Sequence, residues 1–276
     1  MKTILVLTDF SKKAENAAIY ALKIAEKNQA NIILFNSFEK FQSVNVPESG
    51  SWVYEDYEMI KNESLAELKK LENYIIEHHK QGTFEPGISS LNELGLDLAS
   101  SVNQLVRDRK IDLIVMGTKG DDTISHLFYG SDACGVLDNA GCPVLFIPET
   151  CIFDGFKNIV FANDLKKDYN EAISFLVGIA RLNNSHIILT HFGEYENNAL
   201  KCLNLIEGTL AYPNVTSRLL QLENKGGQLR EFAASVKADL VVMIHHHGAS
   251  FEKFIVGSQS KNMLKHNQLP LLIIAD

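Results

Sequence analysis

Lys2-Thr-Ile-Leu-Val-Leu-Thr-Asp-Phe-Ser11 opens the chain with a short apolar run that stops on a hydroxyl and a carboxylate, and the residues after it change period. Ile4 to Leu7 are apolar on both faces of an extended strand, as in the interior of a parallel sheet. Ala14, Ala17, Ala18, Ala21, Leu22 and Ala25 then recur at helical spacing, and their small side chains let a helix lie close on a sheet. A strand followed by such a helix begins a βαβ unit. The alternation continues with a strand at Ile32–Phe35, a helix over about 54–79 and a strand around Ile88–Leu91. Beyond these come a helix over about 96–109, a strand at Ile111–Met116, a helix from about Ser131 to Asn139 and a strand at Val144–Ile147.

The opening stretch recurs. Lys2…Asp9 lines up with Lys157-Asn-Ile-Val-Phe-Ala-Asn-Asp164 at an offset of 155 (157 − 2), and the match runs on through Ala17/Ala172, Ala25/Ala180, Asn28/Asn183 and Ile32-Ile-Leu34/Ile187-Ile-Leu189. A second offset, 127 (239 − 112), pairs Asp112-Leu-Ile-Val-Met116 with Asp239-Leu-Val-Val-Met243, Gly130-Ser131 with Gly257-Ser258, and Pro143 with Pro270. The first copy therefore carries 28 more residues (155 − 127) in its middle, within 38–80, where Pro47, Gly50 and the only tryptophan, Trp52, sit. The break between copies falls near 148–156, giving units of 1–150 and 151–276. The 276 residues suffice for two domains that each bury a core. The expected architecture is α/β: two tandem open parallel five-stranded sheets with helices on both faces.

Composition bounds the function class. Apolar residues make up 46% and charged residues 22%, as in globular chains. A net charge of −8 provides no broad basic field for nucleic acid or anionic lipid. No apolar run approaches the roughly 18 residues that span a bilayer, and an acid at position 9 interrupts any signal-peptide core, so a cytoplasmic protein without a membrane partner is expected. Cys134, Cys142, Cys151 and Cys202 show no CxxC spacing and read as reduced, mostly buried small hydrophobes.

Ligands of an open parallel sheet bind at the carboxyl ends of its strands. After the strand ending at Met116 comes Gly117-Thr-Lys-Gly120, then nine residues, then Gly130-Ser131 opening a helix. Glycines let the backbone come close to a ligand, and a helix N-terminus offers N–H groups and a positive dipole end to phosphate oxygens. The Ser131 hydroxyl adds a donor there or caps the helix. The same glycines can instead do no more than shape a strand–loop–helix corner. Asp9, at the end of the first strand, can bind ribose hydroxyls, a base amine or a metal, or cap the following helix.

Three motifs together resemble the universal stress protein family in its tandem form: Ile4-Leu-Val-Leu-Thr-Asp-Phe-Ser11, Gly117-x2-Gly120-x9-Gly130-Ser131, and Cys142-Pro-Val-Leu-Phe-Ile147. The likeness spans nearly the whole chain. It implies a Rossmann-like sheet ordered 3-2-1-4-5 of the HUP type, an assembly that pairs two such units, and ATP binding, with magnesium as an accompanying ion. Carried over by position, Gly117, Gly120, Gly130 and Ser131 would surround ribose and phosphates, Thr8 and Asp9 would lie near the nucleoside, and Met116 and the Ser37 backbone would flank the base. The chain departs from the family pattern in having Leu7 where a proline is common and Asn36-Ser37 where His-Val is common.

The second copy has lost part of the pattern. Ile244 and His247 stand at the equivalents of Gly117 and Gly120, while Gly257-Ser258 survive, so this copy is not expected to hold ATP in the same way. His245, His246 and His247, with His191 and His266 as further donors, can be read as metal ligands, as a polar lining or as a degenerate loop. His78 and His79 close a helix at its C-terminus, where cations are favoured. A Walker A loop, a G-x-S-x-G elbow and an HExxH motif are absent from the sequence, and no catalytic base is identifiable. The expectation is a non-catalytic, ATP-binding stress sensor or regulator. It is either a monomer whose two copies pair with one another or a homodimer of such chains. The alternative is an interaction or carrier protein that holds another small or apolar ligand with help from Phe38, Phe41, Trp52, Tyr54 and Tyr57.

Overall fold

A computed structural model of the chain describes residues 1–38, 51–81, 84–94, 97–118, 131–163, 170–192, 197–220, 225–245 and 269–275. The first half runs β1 (Thr3–Leu7), α1 (Lys12–Asn28), β2 (Asn31–Phe38), α2 (Ser51–Glu77), β3 (Ile88–Leu94), α3 (Leu98–Arg109), β4 (Leu113–Thr118), α4 (Ser131–Asn139) and β5 (Val144–Pro148). The second runs β6 (Asn158–Ala162), α5 (Asn170–Asn183), β7 (His186–Phe192), α6 (Asn197–Leu210), β8 (Val215–Leu220), α7 (Lys225–Ser235), β9 (Leu240–His245) and β10 (Leu271–Ala275). The greater length of the first half shows in its second helix, 27 residues in α2 against 14 in α6.

Each half adopts the 3-2-1-4-5 order with parallel neighbours. The two sheets expected from the sequence are not separate. Antiparallel pairing of β5 with β10 fuses them into one ten-stranded sheet ordered β3-β2-β1-β4-β5-β10-β9-β6-β7-β8. Leu145 and Leu272, equivalent positions of the two copies, face each other across that joint, flanked by Phe146↔Leu271 and Val144↔Ile273. A local twofold axis thus passes between Leu145 and Leu272. Both strands are apolar on both faces, and an unpaired edge of that kind would expose backbone donors and acceptors beside hydrophobic side chains.

One apolar layer, under α1, α2, α5 and α6, gathers Ile4, Val6, Leu34, Val115, Phe161, Leu189 and Leu240. The opposite layer, under α3, α4 and α7, gathers Leu5, Leu7, Phe35, Ile114, Phe146, Val160 and Ile273. Both layers run through the joint. On the axis in the first layer lies a small apolar cavity lined by the equivalent pairs Leu113 with Leu240, Leu145 with Leu272 and Ile24 with Ile179, together with Asn28. Met1 and Phe156, also equivalent, complete it.

The alanine stripe of α1 is buried as expected, and so are Tyr20 and Ile24 outside it. The reason is the connection between the halves, which covers the other side of this helix. Tyr20 meets Phe153 edge-on at 4.9 Å, Phe153 meets Phe156 edge-on at 5.2 Å, and Asn16 Nδ2 donates to the carbonyls of Pro148 and Cys151, both at 2.9 Å. Lys27 Nζ crosses to Asn183 Oδ1 at 2.9 Å. Aromatic contacts of this kind contribute about 0.5–1.5 kcal/mol each beyond area burial. Cys142, Cys151 and Cys202 are free and half-buried. Burial and the charge of Asp112 push the Cys142 thiol up to about 12, and burial and Asp239 push Cys151 up to about 11. No described helix is long and apolar enough to cross a membrane.

At the amino ends of the strands each half uses one carboxylate as a clamp. Asp112 Oδ2 accepts from the amides of Lys2 (2.6 Å) and Thr3 (2.9 Å), and Asp239 Oδ2 accepts from those of Lys157 and Asn158 (2.8 Å each). Charge-assisted bonds to two successive N–H groups fix where β1 and β6 begin relative to β4 and β9. Replacing Asp112 or Asp239 by Ala is expected to cost about 1–3 kcal/mol each, with near-additive effects because the sites share no partner. Urea unfolding of the single and double variants, against an exposed control at Asp108, measures this.

Candidate functional site

The strand order reverses between β1 and β4, and the carboxyl ends of these strands form the crevice in which open α/β sheets bind ligands. The first strand leaves the sheet there in a tight turn. The Thr8 amide donates to Phe35 O at 2.9 Å, and Thr8 Oγ1 accepts from the Phe10 amide at 3.0 Å, which holds Phe10 at a φ of 59°. Asp9 Oδ1 accepts from the Ser11 amide at 3.1 Å and from the Ser11 hydroxyl, while Oδ2 lies 3.0 Å from Lys13 Nζ. Asp9 therefore ties down the chain just before α1. Ser11 is the N-cap residue, yet its hydroxyl serves Asp9 and makes no cap bond to the helix. Burial acts to raise the Asp9 pKa, but the bonds from Ser11 and the Lys13 ammonium outweigh it and hold the carboxyl below its ordinary 3.8.

Strand register puts the other residues around this turn. Leu7 is level with Phe35 of β2 and Met116 of β4; two residues on, Ser37 and Thr118 still lie in their strands, while Asp9 lies past the end of β1 in the turn. Met116 is half-buried against the layer under α3 and α4, and strand alternation carries Ser37 and Thr118 to that same face. Ser37 is paired in register with Glu93 of β3. Thr118, which the sequence did not single out, is buried, and its hydroxyl has no hydrogen-bond partner. Ser131 is the first residue of α4, as expected, whereas Gly120 and Gly130 lie outside the described residues.

Gly117 faces the opposite side. A Cβ there would stand 2.3 Å from the carbonyl oxygen and 2.5 Å from the carbonyl carbon of Lys13, in the first turn of α1. Glycine at this position is required by close helix–strand packing, which is the corner-shaping role for this member of the motif. The turn carrying Lys13 is thereby pressed against the end of β4.

Asn36 proves to be structural. Its Nδ2 donates to Thr8 O at 2.8 Å and its Oδ1 accepts from Ser64 Oγ of α2 at 2.8 Å, all within the core. The second half repeats the device with a different side chain: His191 Nδ1 donates to Asn163 O at 2.8 Å, and Asn163 is the equivalent of Thr8. A polar side chain at the end of an apolar strand in both copies was the sequence signal for this staple. His245 ends β9, and His246, His247 and His266 lie outside the described residues. Among the described residues no group of three His, Cys, Asp or Glu could hold a metal. His79 instead joins Glu26 through Nδ1 at 2.9 Å. Of the aromatic segment, Phe38 is buried and packs on Tyr57 at 6.0 Å; Phe41 and the side chains of Trp52 and Tyr54 lie outside the described residues.

Residues 1–148 and 206–275 match the family model described as the universal stress protein family. The chain belongs to the universal stress protein family. The first stretch spans β1 to β5, and the second spans β8, β9 and β10 of the other half. A universal stress protein of Methanocaldococcus jannaschii is 32% identical over 148 residues, covering 53% of this chain and 81% of that one. The crystal structure of a universal stress protein from Archaeoglobus fulgidus shares the fold along the whole chain, with a TM-score of 0.70 at 15% identity, covering 99% of this chain and 98% of that one. A universal stress protein solved in complex with cAMP matches 53% of this chain at 24% identity and a TM-score of 0.39, with 96% of its own length covered.

Two expectations follow from this corner. Gly117→Ala forces apart α1 and β4 and should cost at least about 1–3 kcal/mol in thermal or denaturant unfolding, the usual range for overpacking. The Asp9 carboxyl, followed by NMR, should titrate below 3.8 and move up towards it in Lys13→Met. Because the folded value is depressed, the stabilisation contributed by ionised Asp9 is complete above its ordinary pKa and is lost as pH falls through the folded one.

Proposed function

We propose that this universal stress protein binds an adenine nucleotide, ATP, through its first copy, residues 1–150, and acts as a non-catalytic sensor or regulator in a stress response. The degenerate copy, 151–276, is its structural partner and does not bind ATP in the same way. The observation that carries this reading is the switch point between β1 and β4, where Asp9 follows the end of β1 and Met116 of β4 and Ser37 of β2 lie at the neighbouring strand ends. A flat apolar thioether and a strand backbone suit a base, and an ionised carboxylate suits ribose hydroxyls. Gly120, Gly130 and Ser131 supply the phosphate-binding end of the motif in this reading. Magnesium, where it accompanies the nucleotide, is carried by the phosphates, because Asp9 Oδ2 is engaged by Lys13.

The inequality of the halves has its own support. With a Cβ at Gly117 2.3 Å from the Lys13 carbonyl, a copy bearing Ile244 at that position cannot press the first turn of its helix onto the strand in the same way. The corner that gathers Asp9, Lys13 and Met116 in the first copy therefore cannot be reproduced in the second.

Isothermal titration of the full chain with ATP is expected to give one site per chain, with affinity at least about tenfold weaker in Asp9→Ala, since hydrogen bonds to a charged group are worth about 1.5–3 kcal/mol. His245→Ala should leave it unchanged. Nucleotide recovered from the complex after prolonged incubation should remain the triphosphate. Two equal sites would overturn the inequality of the copies, and no site would overturn nucleotide binding.

A further inference from the structure

We infer that Lys13 sets the preference of the first copy for phosphorylated ligands, by placing its ammonium on the Asp9 carboxylate and cancelling that negative charge at the carboxyl end of β1. This rests on the nucleotide reading above and adds to it a specificity residue outside the glycine motif. Asp9 follows β1 at the switch point, and its side chain keeps 57% of its surface exposed, so a ligand entering the crevice meets it. Despite the opposing effect of burial, the bonds from Ser11 and Lys13 hold the carboxyl below its ordinary pKa, and it is ionised at neutral pH. A triphosphate brought beside a bare carboxylate is repelled by it.

Lys13 Nζ lies 3.0 Å from Asp9 Oδ2, and its own side chain is 29% exposed, so the two charges meet solvent as one near-neutral pair. Both members are fixed from behind. The Ser11 amide holds Asp9 Oδ1 at 3.1 Å, which leaves Oδ2 to Lys13. Gly117 admits the Lys13 main chain where a Cβ would stand 2.3 Å from its carbonyl oxygen, so the residue is held between the end of β4 and the turn after β1. An exposed i,i+4 pair adds little to folding stability, so stability does not account for this placement. The second copy lacks the pair. At the offset of 155 it reads Asp164-Leu-Lys-Lys-Asp168: the strand-end carboxylate remains, Lys12 is matched by Lys167, and the position of Lys13 carries a second carboxylate. That copy also has Ile244 in place of Gly117. The cation and the glycine that seats it occur together in one copy and are missing together from the other.

The test is Lys13→Met, Lys13→Arg and Lys13→Asp in the full chain, with Lys12→Met as an exposed control. Each is titrated with ATP and with adenosine at low and high salt, and melted without nucleotide. Lys13→Met is expected to melt close to the wild type, to bind adenosine with unchanged affinity, and to bind ATP about 5- to 20-fold more weakly at low salt. The ATP deficit should shrink at about 0.5 M salt, where the screening length is about 4 Å. Lys13→Arg, which keeps the charge, should bind ATP within about twofold of the wild type, and Lys13→Asp should bind it more weakly than Lys13→Met does. Unchanged ATP affinity in Lys13→Met, a loss shared equally by adenosine, or an equal loss in Lys12→Met or Lys13→Arg overturns this inference and leaves the nucleotide reading standing. Absence of nucleotide binding by the wild type overturns both.

Discussion

A five-stranded parallel sheet ordered 3-2-1-4-5 leaves its fifth strand at an edge, and in this chain that strand is apolar on both faces. Everything at the centre of the molecule follows from how that edge is closed. β5 and β10 close each other, antiparallel, with Leu145 opposite Leu272. The pairing places α1 beside α5 on one face, lets both apolar layers run from half to half, and fixes the short connection against α1 through Asn16, Tyr20 and Lys27. The ten strands are thus held at their middle, while the carboxyl ends of β1 and β4 remain a crevice in the first half.

Much of this was legible in the sequence because parallel sheets write themselves plainly: short runs apolar on both faces, then alanine-rich stripes of helical period. The internal offsets gave the duplication and located the longer middle of the first copy. The joining of two sheets into one was not legible, since strand pairing between β5 and β10 depends on partners far apart in the chain, and a two-faced apolar strand is the same string whether central or joined edge to edge. The burial of Tyr20 and Ile24 was not legible either, because no periodicity announces that a connecting segment will lie across the other side of α1.

The residues of the candidate site came partly from position and partly from the family resemblance. Asp9 was identified from its place at the end of the first strand and Ser37 and Met116 from the resemblance, and register brings the strands that carry them side by side. Gly117 was taken for a ligand-facing glycine, whereas the structure uses its missing side chain to seat the Lys13 backbone. A glycine that admits a helix and one that admits a phosphate are identical in sequence, so only neighbours distinguish them. Asn36 looked like a departure from a family pattern and is instead a staple, whose counterpart His191 performs the same bond with an imidazole. Thr118 was passed over because nothing in the string reveals that a hydroxyl will be sealed away without a partner.

The cavity on the local twofold, lined by Leu113 with Leu240, Leu145 with Leu272, and Ile24 with Ile179, has a genetic consequence. Between two identical separate chains, every substitution at such an axis arrives twice and meets itself, so a change that helps one side burdens the other. Within a single polypeptide the two sides mutate independently. Met1 can face Phe156, and Lys27 can reach Asn183, without a mirrored counterpart being imposed. That freedom lets the two copies diverge, as at Gly117 and Ile244, with the seam between them intact.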